Sequence, residues 1–590
     1  MALTLSLTRV LGHKDFFPEQ EPESKAALAH LIGKKFAFEF CCHFLGNFKL
    51  RHIPPIDILM QEWFTFYEYK FFQSPIYFDI RDRLDRILRG DPGSNLQMLV
   101  VESFLIMISW LTTDPGIPED VEINASHPLP LLKLCLLFND DLLARYEIGH
   151  QSIPGIPVDR RPTQLAMAMG FPQNDMVNPD YAQTLNTQFY KGARLLEFMA
   201  ATPKYKPIVD MLLADFRCTS IIQYFNYVGK TILLGVQSLK NGWTIINVPP
   251  HEEHDQVCFI LDKISIVDEP VPDLQDDYLD LRSRPLRKIA DGKYMVIYDM
   301  FLIKKLYNGL IFYLSRMGER IPSIRKNFLS QVRQDFSEGE LVYDTFRYIY
   351  QKSPSTVLIP GQEFRDKGFT NSEPDFYVRD LKDILLIESK DFYMKGKIKL
   401  SYEFLDIEAA LTVDKDGNPD RLGKAALQLI TNIERIITKT LTGDTEYDLS
   451  EITIYPVIVV HDAIYSSPGL NHWFHFKMID LLEELKSDPL YARFDFNQIK
   501  PLTLMEIDTL IFFEESFHQK KIHLAQLLSE YHAWVDYARL NVKTTEDVYQ
   551  HGYQSNLPFA EFLRSRAKEE NLRLETGRFN DILVRFGFVK

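Results

Sequence analysis

Two carboxylates and a lysine stand close together in the second half of the chain. Asp375 follows Pro374, and Glu388 and Lys390 lie 13 and 15 positions further on, on either side of Ser389. Two carboxylates with no histidine or cysteine beside them suit a hard cation such as Mg²⁺ or Mn²⁺, which prefers oxygen ligands. A lysine next to them can orient an attacking water and balance developing negative charge. These residue types together indicate metal-dependent cleavage of a phosphodiester bond.

The surrounding segments predict two paired strands that bring these side chains together. Residues 375–378 and 384–388 are mostly apolar, and the polar, turn-like residues 379–383 connect them. Such a hairpin places Asp375 across from Glu388.

The period of a strand decides which side chains of the second segment act together. Glu388 and Lys390 share one face, and Ser389 points to the other. A competing interpretation is a surface hairpin on which Glu388 and Lys390 form an exposed ion pair of little energetic value. The apolar run 384–387 favours a buried strand instead.

The region around the motif predicts a mixed α/β domain, whereas residues 24–239 have the apolar spacing of helices. The α/β elements predicted after Pro322 are a helix at 338–350, a strand at 356–360, the paired strands at 375–378 and 384–388, a long helix at 421–441, and strands at 452–460 and 502–507.

Pro374-Asp375, followed after a gap by Glu388-Ser389-Lys390, resembles the motif of the PD-(D/E)XK nuclease superfamily, and the resemblance covers residues 335–510. It implies a restriction-endonuclease-like fold, in which helices flank a central mixed sheet. It also implies that Asp375, Glu388 and the backbone carbonyl of Ser389 bind Mg²⁺ or Mn²⁺, and that Lys390 is catalytic.

Two further elements of the family have counterparts here. Many members carry an acidic residue in the first core helix, and Glu340 and Asp344 are both candidates for this metal ligand. RecB-like members carry a glutamine in the helix after the Glu-x-Lys strand. Gln428 resembles this glutamine, which implies that it is a further catalytic residue. Lys424 lies one helical turn before Gln428 and shares its face.

The charge of the chain restricts how nucleic acid can bind. The formal net charge is -15, so the field of the whole molecule repels a phosphate backbone and only a local basic surface can attract one. Lys395, Lys397 and Lys399 follow the motif and, with Lys424, are the predicted nucleic-acid contacts, although ordinary solvated lysines would give the same pattern.

Pattern changes along the chain predict four regions. Residues 242–248 and 257–261 have the composition of two short strands that form a hairpin, and the acidic, proline-bearing stretch 268–280 has that of a linker. The predicted regions are a helical region at 1–240, a hairpin, acidic linker and helix at 241–334, the nuclease-like domain at 335–510, and a helical extension at 511–590.

Composition indicates a protein of the cytoplasm. The five cysteines have no paired spacing, residues 1–16 lack an export signal, and the apolar stretch 96–111 is interrupted by Glu102 and indicates a buried helix. We therefore expect no membrane partner.

These observations predict a metal-dependent nuclease, with DNA favoured over RNA as its substrate. The helical N-terminal region is predicted to bind a protein partner, and a role in prokaryotic defence or mobile-element biology follows only by analogy. The alternatives are an RNA-directed nuclease and a non-enzymatic interaction protein with an inactive nuclease fold. Endonuclease and exonuclease action stay equally open.

Overall fold

A computed structural model gives the fold, and the chain divides into two compact units: residues 1–148 with 210–310, and residues 149–209 with 311–590. The region boundaries predicted at 240/241, 334/335 and 510/511 stay predictions. The structure describes residues 8–47, 75–90, 95–122, 127–153, 160–177, 180–238, 245–266, 277–353, 355–369, 373–441, 443–535, 556–570 and 577–588.

The first unit is mostly helical, as the spacing of its apolar residues predicts. The helix Val101–Thr113 buries most of its side chains, including that of Glu102, so the prediction of a buried helix in this stretch is confirmed. Its helices are His13–Phe16, Lys25–Ile32, Lys34–Asn47, Pro75–Gly90, Val101–Thr113, Ile221–Ser238, His254–Lys263, Leu279–Ser283, Asp299–Ile303 and the 3₁₀ turn Lys304–Leu306.

Two small sheets complete the first unit. One is a parallel pair and the other has the order β3-β6-β5-β4, with antiparallel pairing of β3 to β6 and of β6 to β5. The strands are β1 (Thr8–Val10), β2 (Asn95–Gln97), β3 (Ile245–Asn247), β4 (Ser265–Ile266), β5 (Leu286–Ala290) and β6 (Lys293–Val296).

The hairpin predicted for 242–248 and 257–261 is wrong. Residues 257–261 lie within the helix His254–Lys263, and β3 pairs with β6 instead. A short apolar run is compatible with either a strand or a helix, and here Cys258 and Leu261 are buried on one helical face. Most of the predicted acidic linker, residues 268–276, lies outside the described residues.

The second unit contains the predicted α/β region. Three helices cross the boundaries between the units: Pro128–Gln151, Lys206–Asp215 and Asn308–Gly318. The remaining α-helices of this unit are Arg161–Gly170, Asn174–Val177, Tyr181–Ala201, Phe328–Val332, Tyr343–Tyr350, Gly361–Asp366, Gly396–Lys399, Phe404–Thr412, Arg421–Ile437, Leu470–Lys486, Ile507–His518, Leu524–Trp534, Phe559–Glu569 and Gly577–Arg585. Its other described helical segments are the π-helix Arg333–Val342 and the 3₁₀ turns Phe171–Gln173, Ala463–Ser466, Pro489–Tyr491 and Phe496–Gln498.

A five-stranded mixed sheet lies at the centre of the second unit, in the order β11-β10-β9-β8-β7. Strands β7, β8 and β9 are antiparallel, whereas β9, β10 and β11 are parallel. All five strands occur where the sequence predicts them. They are β7 (Val357–Pro360), β8 (Phe376–Asp380), β9 (Asp383–Lys390), β10 (Thr453–Val460) and β11 (Thr503–Glu506).

The helix Arg421–Ile437 covers one face of this sheet and packs on β9. It buries a stripe of apolar residues spaced three and four apart, as expected of a helix with one face toward a core. The stripe consists of Leu422, Ala425, Leu429, Ile433 and Ile436. Mixed sheets flanked by helices are therefore the architecture of this protein.

The helices were compared with the requirements for crossing a membrane. Within the described ranges, none combines the length and the apolar character that crossing a bilayer requires.

Candidate functional site

The β8–β9 hairpin brings the carboxylates of the motif together. Phe376 pairs with Ile387 in the antiparallel register, so Asp375 lies opposite Glu388, as predicted. The backbone N–H of Ser389 donates a hydrogen bond to Oδ2 of Asp375 at 2.7 Å. The position of Asp375 is therefore fixed by the strand that carries the second carboxylate.

Lys390 lies between the two carboxylates. Its Nζ is 3.2 Å from Oε2 of Glu388 and 3.6 Å from Oδ2 of Asp375. Glu388 is fully buried, and residues 384–387 before it are 0% exposed. The alternative of a surface hairpin with an exposed ion pair is therefore wrong.

Burial and like charge determine the protonation of this cluster. Burial, and then the neighbouring carboxylate of Asp375, raise the pKa of Glu388 well above its usual value. Burial would lower the pKa of Lys390, but Asp375 and Glu388 outweigh it and raise the pKa instead. The ammonium group is thus held in its charged form.

A third carboxylate, Glu338, interacts electrostatically with Asp375 and Lys390, and sequence reasoning did not single it out. Its pKa is raised to about 7 by burial first and by Asp375 second, and Lys390 opposes the shift. The sequence feature that could have identified Glu338 is its position at the start of the helix predicted at 338–350. Asp391, which accepts a hydrogen bond from Ser337 at 2.6 Å, also contributes to the raised pKa.

The two acids predicted as candidates for the metal ligand of the first core helix, Glu340 and Asp344, contact different residues. Arg194 approaches both, with its Nη2 2.8 Å from Glu340 and 3.3 Å from Asp344. The prediction assumed a regular α-helix, whereas Arg333–Val342 is a π-helix. Its i→i+5 hydrogen bonds change which side chains share a face with those of the following α-helix Tyr343–Tyr350, which carries Asp344. The role of Glu340 or Asp344 as a metal ligand stays a prediction.

The donor set fits a hard divalent cation. Oε1 of Glu388 is buried and accepts no hydrogen bond from the protein, which is costly for a carboxylate oxygen unless another group occupies it. Among the described residues, no group of three or more His, Cys, Asp or Glu side chains is spaced to enclose a metal. Asp375 and Glu388 alone suit Mg²⁺, which retains water and gains phosphate oxygens as ligands.

Gln428 and Lys424 lie on the helix Arg421–Ile437, which packs on β9. Gln428 is half-buried with its Oε1 buried and without a hydrogen-bond partner, while Lys424 is exposed. The predicted catalytic role of Gln428 and the predicted nucleic-acid contact of Lys424 stay predictions.

The predicted basic residues after the motif are of two kinds. Lys395 and Lys397 are exposed. Lys399 is 2% exposed and its Nζ is 2.6 Å from Oδ1 of the buried Asp175. The prediction that Lys399 contacts nucleic acid is therefore wrong, because a buried, paired ammonium is not accessible to a phosphate backbone.

A chain of buried polar contacts supports the opposite face of β9. The hydroxyl of Ser389 lies 2.8 Å from Nε2 of His461, which confirms that Ser389 points away from the carboxylates. Lys191 donates to the carbonyl of His461 at 3.3 Å and forms a 2.7 Å ion pair with Asp508. The role of the Ser389 carbonyl as a metal ligand stays a prediction.

Comparison with known proteins identifies no family. No protein-family model matches the sequence, and neither a curated protein nor a solved structure is significantly similar to it.

Proposed function

We propose that this protein is a divalent-metal-dependent nuclease of the PD-(D/E)XK type that hydrolyses phosphodiester bonds, with DNA as its preferred substrate. The observation that carries the proposal is the buried Glu388, whose Oε1 has no hydrogen-bond partner, beside Asp375 and Lys390 on one hairpin. Holding one fully buried and two half-buried ionisable groups together is unfavourable for stability, so their clustering favours a functional role.

The topology supports a restriction-endonuclease-like core. A helical segment precedes β7, β8 and β9, the helix Arg421–Ile437 follows them, and β10 then adds in parallel to β9. With the shorter helices between them set aside, this α-β-β-β-α-β order is the one that the resemblance implies. Glu338 lies in the first helical segment, Asp375 directly precedes β8, and Glu388 lies in β9.

Each residue of the cluster has a distinct role in the proposal. Asp375 and Glu388 would hold Mg²⁺ or Mn²⁺, with Glu338 as the acid of the first helical segment. When bound, the cation would balance the charge of the scissile phosphate and favour ionisation of a water. Lys390, held protonated by its neighbours, would donate hydrogen bonds to the phosphate oxygens and orient the attacking water.

Substrate binding would depend on the local surface. Lys395 and Lys397 are exposed and follow β9 directly, so they can approach a phosphate backbone near the cluster. We place the protein in a reducing cytoplasm, because all five cysteines are buried and unpaired. Prokaryotic defence or mobile-element biology is the setting that we propose.

The deciding experiment is a cleavage assay on purified full-length protein. Circular double-stranded DNA, single-stranded DNA and RNA are incubated with Mg²⁺, Mn²⁺ or EDTA, for the wild type and for Glu388→Gln and Lys390→Ala. We expect metal-dependent cleavage that both variants reduce at least about 1,000-fold, since Glu388→Gln removes a ligand of the cation and Lys390→Ala removes the ammonium that contacts the phosphate. Glu403→Gln, which changes an exposed carboxylate of the same unit, is the matched control and should cleave as the wild type does.

The substrates separate the alternatives. Cleavage of RNA but not of DNA would support the RNA-directed nuclease. Cleavage of nothing by folded protein would leave the non-enzymatic interaction protein. Equal cleavage by Glu388→Gln and wild type would overturn the assignment of the active site to Glu388.

A further inference from the structure

Two aromatic rings lie against each other in the second unit, close to the proposed metal site. The ring centroids of Phe312 and Tyr393 are 4.7 Å apart, and the ring planes are tilted by 42°. Tyr393 is partly buried, whereas Phe312 is 42% exposed, so one ring of the two is open to solvent. Phe312 and Tyr393 are called the ring pair below.

The packing of its helix does not account for Phe312. The helix Asn308–Gly318 buries Ile311, Leu314 and Met317, and the helical period places Phe312 on the opposite side. A single exposed phenylalanine is common on protein surfaces and has little meaning alone. The second ring and the cations around Phe312 are what distinguish this position.

Contacts connect the ring pair to the proposed metal site. Tyr393 follows Lys390 by three positions, and three residues span at most about 11 Å. The guanidinium of Arg333 lies 4.5 Å from the ring centroid of Tyr393, and its Nε is 3.6 Å from Oδ1 of Asp391. Arg333, whose charge is paired in this way, therefore holds the tyrosine ring beside the end of β9. A nucleotide at the ring pair would lie close to a phosphate that Lys390 contacts.

Other cations near the ring pair suit a phosphate backbone. Arg316 is exposed and lies one helical turn after Phe312 on the same side, and the exposed Lys395 and Lys397 follow Tyr393 closely. Within the described part of the chain, none of these three cations has a carboxylate within ion-pair distance. Their charges are therefore available to phosphate groups.

We propose that the ring pair is a stacking platform for an unpaired base of a single-stranded nucleic acid. Every base has a flat π face, so an exposed aromatic ring can hold a single strand without reading its sequence. In a duplex each base is already stacked on its neighbours and must be extruded first. The inference rests on the proposed nuclease function, and it narrows the substrate to strands with an unpaired base next to the cleaved bond.

The proposal is tested by fluorescence anisotropy of the full chain in EDTA at constant, physiological ionic strength. The labelled probes have equal length: a single DNA strand, the RNA of the same sequence, the blunt DNA duplex, and a strand of abasic sites, which keeps the phosphates without the bases. We expect the single DNA strand to bind with a Kd below about 100 µM, and the abasic strand to bind at least about fivefold more weakly.

Variants of the exposed ring assign the binding to the platform. Phe312→Ala should weaken binding of the single DNA and RNA strands about tenfold, and binding of the duplex and the abasic strand by less than about twofold. Phe312→Trp keeps an aromatic face and should bind as the wild type does, whereas Phe312→Leu keeps only apolar volume and should lose about as much as alanine. The control is Phe78→Ala, which changes an exposed phenylalanine of the first unit that also lies against a tyrosine ring.

Three outcomes overturn the proposal. Folded Phe312→Ala binds the single strands as tightly as the wild type, or it weakens binding of the abasic strand and the duplex by the same factor, or the wild type binds no single strand at about 100 µM. Failure of the platform and failure of the nuclease remain distinguishable, because the titration contains EDTA and measures no cleavage. Cleavage that depends on Glu388 together with normal binding by Phe312→Ala would reject the platform alone. Absence of cleavage together with the expected loss in Phe312→Ala would reject the nuclease alone.

Discussion

At the scale of single residues, the protonation of Glu338 links the stability of the metal-free protein to the proposed binding of a cation. In the metal-free protein, burial and Asp375 raise the pKa of Glu338 to about 7. The unfolded chain holds this carboxyl near its ordinary value of 4.5, so at pH 8 folding requires burial of an unfavourable charge. A residue that destabilises the metal-free fold is expected where a cation compensates it.

Glu338→Gln should therefore stabilise the metal-free protein. The folded pKa lies above the unfolded one, so this destabilisation is fully present above pH 7 and disappears as the pH falls through 4.5. We expect the variant to gain up to about 3 kcal/mol in unfolding free energy at pH 8, and almost nothing at pH 4.5. Urea denaturation in EDTA at the two pH values measures this difference.

The control for this measurement lies two positions along the same helical segment. Glu340 is 42% exposed and paired with Arg194, so Glu340→Gln should change stability by less than about 1 kcal/mol. Equal effects of the two variants at pH 8 would contradict the assignment of Glu338 to the cluster. Loss of cleavage in Glu338→Gln but not in Glu340→Gln would extend the assignment to function.

At the scale of elements, the strands and the presence of the first helical segment were predictable, but the π-helical form of its first half was not. Strand β9 contains four consecutive apolar residues and β10 is rich in β-branched ones, and in both cases burial follows from composition. The period of two then places Asp375, Glu388 and Lys390 on one side. The acid of the helical segment depends on a π-helix, which has no signal in the spacing of apolar residues.

The buried position of Lys399 was equally inaccessible to sequence reasoning. Lys395, Lys397 and Lys399 alternate in the sequence with nothing to distinguish them. Only the position of Asp175, more than 200 residues away in the chain, decides that the third lysine is buried. Contacts between distant residues of this kind do not follow from local periodicity.

Lys399→Ala should therefore be a stability variant. It removes the cation paired with the buried carboxylate of Asp175, and breaking such a buried pair costs about 3–5 kcal/mol. Lys397→Ala removes an exposed side chain of the same short helix and should leave the melting temperature unchanged while weakening nucleic-acid binding. Thermal denaturation and a DNA-binding titration of both variants test this division, and a destabilised Lys397→Ala would contradict it.

Gly361 connects the helix Gly361–Asp366 to the position of Asp375. Its N–H donates to the carbonyl of Asp375 at 2.8 Å, and a Cβ atom here would lie 3.0 Å from the carbonyl oxygen of Pro374 and 3.3 Å from Cα of Asp375. Because these neighbours are backbone atoms, an added methyl group must displace the strand by a few tenths of an ångström. The side chain most affected is a proposed metal ligand.

Gly361→Ala should consequently reduce cleavage more than stability. We expect kcat to fall about 10- to 100-fold, because a small displacement of a reacting group has effects of this size, with a loss of about 1–3 kcal/mol in stability. In Gly90→Ala the new methyl group meets no atom within 4 Å, so this variant is the matched control. An unchanged kcat in Gly361→Ala would show that the strand accommodates the methyl group without moving Asp375.

At the scale of the whole molecule, buried carboxyls and buried histidines have opposite effects on how stability changes with pH. Burial raises the pKa of Glu506 and of Glu514 to about 7, as it does for Glu338. Burial lowers the pKa of His461 to about 4 and that of His532 to about 3. Acidification favours folding through the carboxyls, which gain protons more readily in the folded state, and opposes it through the histidines.

The sizes of these contributions to the free energy of unfolding determine whether the carboxyls or the histidines dominate in metal-free buffer. Between pH 8 and pH 5.5, each of the three carboxyls adds about 2 kcal/mol to the free energy of unfolding. The reason is that pH 5.5 lies about 1.5 units below the folded pKa of about 7 and still above the unfolded pKa. Each histidine loses about 1.4 kcal/mol over the same interval, since its unfolded pKa of 6.5 lies only about one unit above the lower limit. The carboxyls therefore dominate, and stability should increase on mild acidification.

Below pH 4.5 the balance reverses. The carboxyls then carry protons in the folded and the unfolded state alike, whereas the histidines continue to favour the unfolded state down to their folded pKa values. The melting temperature in EDTA should therefore be higher at pH 5.5 than at pH 8 and should fall again by pH 4. Glu506→Gln should flatten the rise between pH 8 and pH 5.5, because it removes one of the three carboxyls. A wild-type maximum at pH 8 would contradict the buried, protonated state of these carboxyls, on which the account of the metal-free cluster at Glu338 also depends.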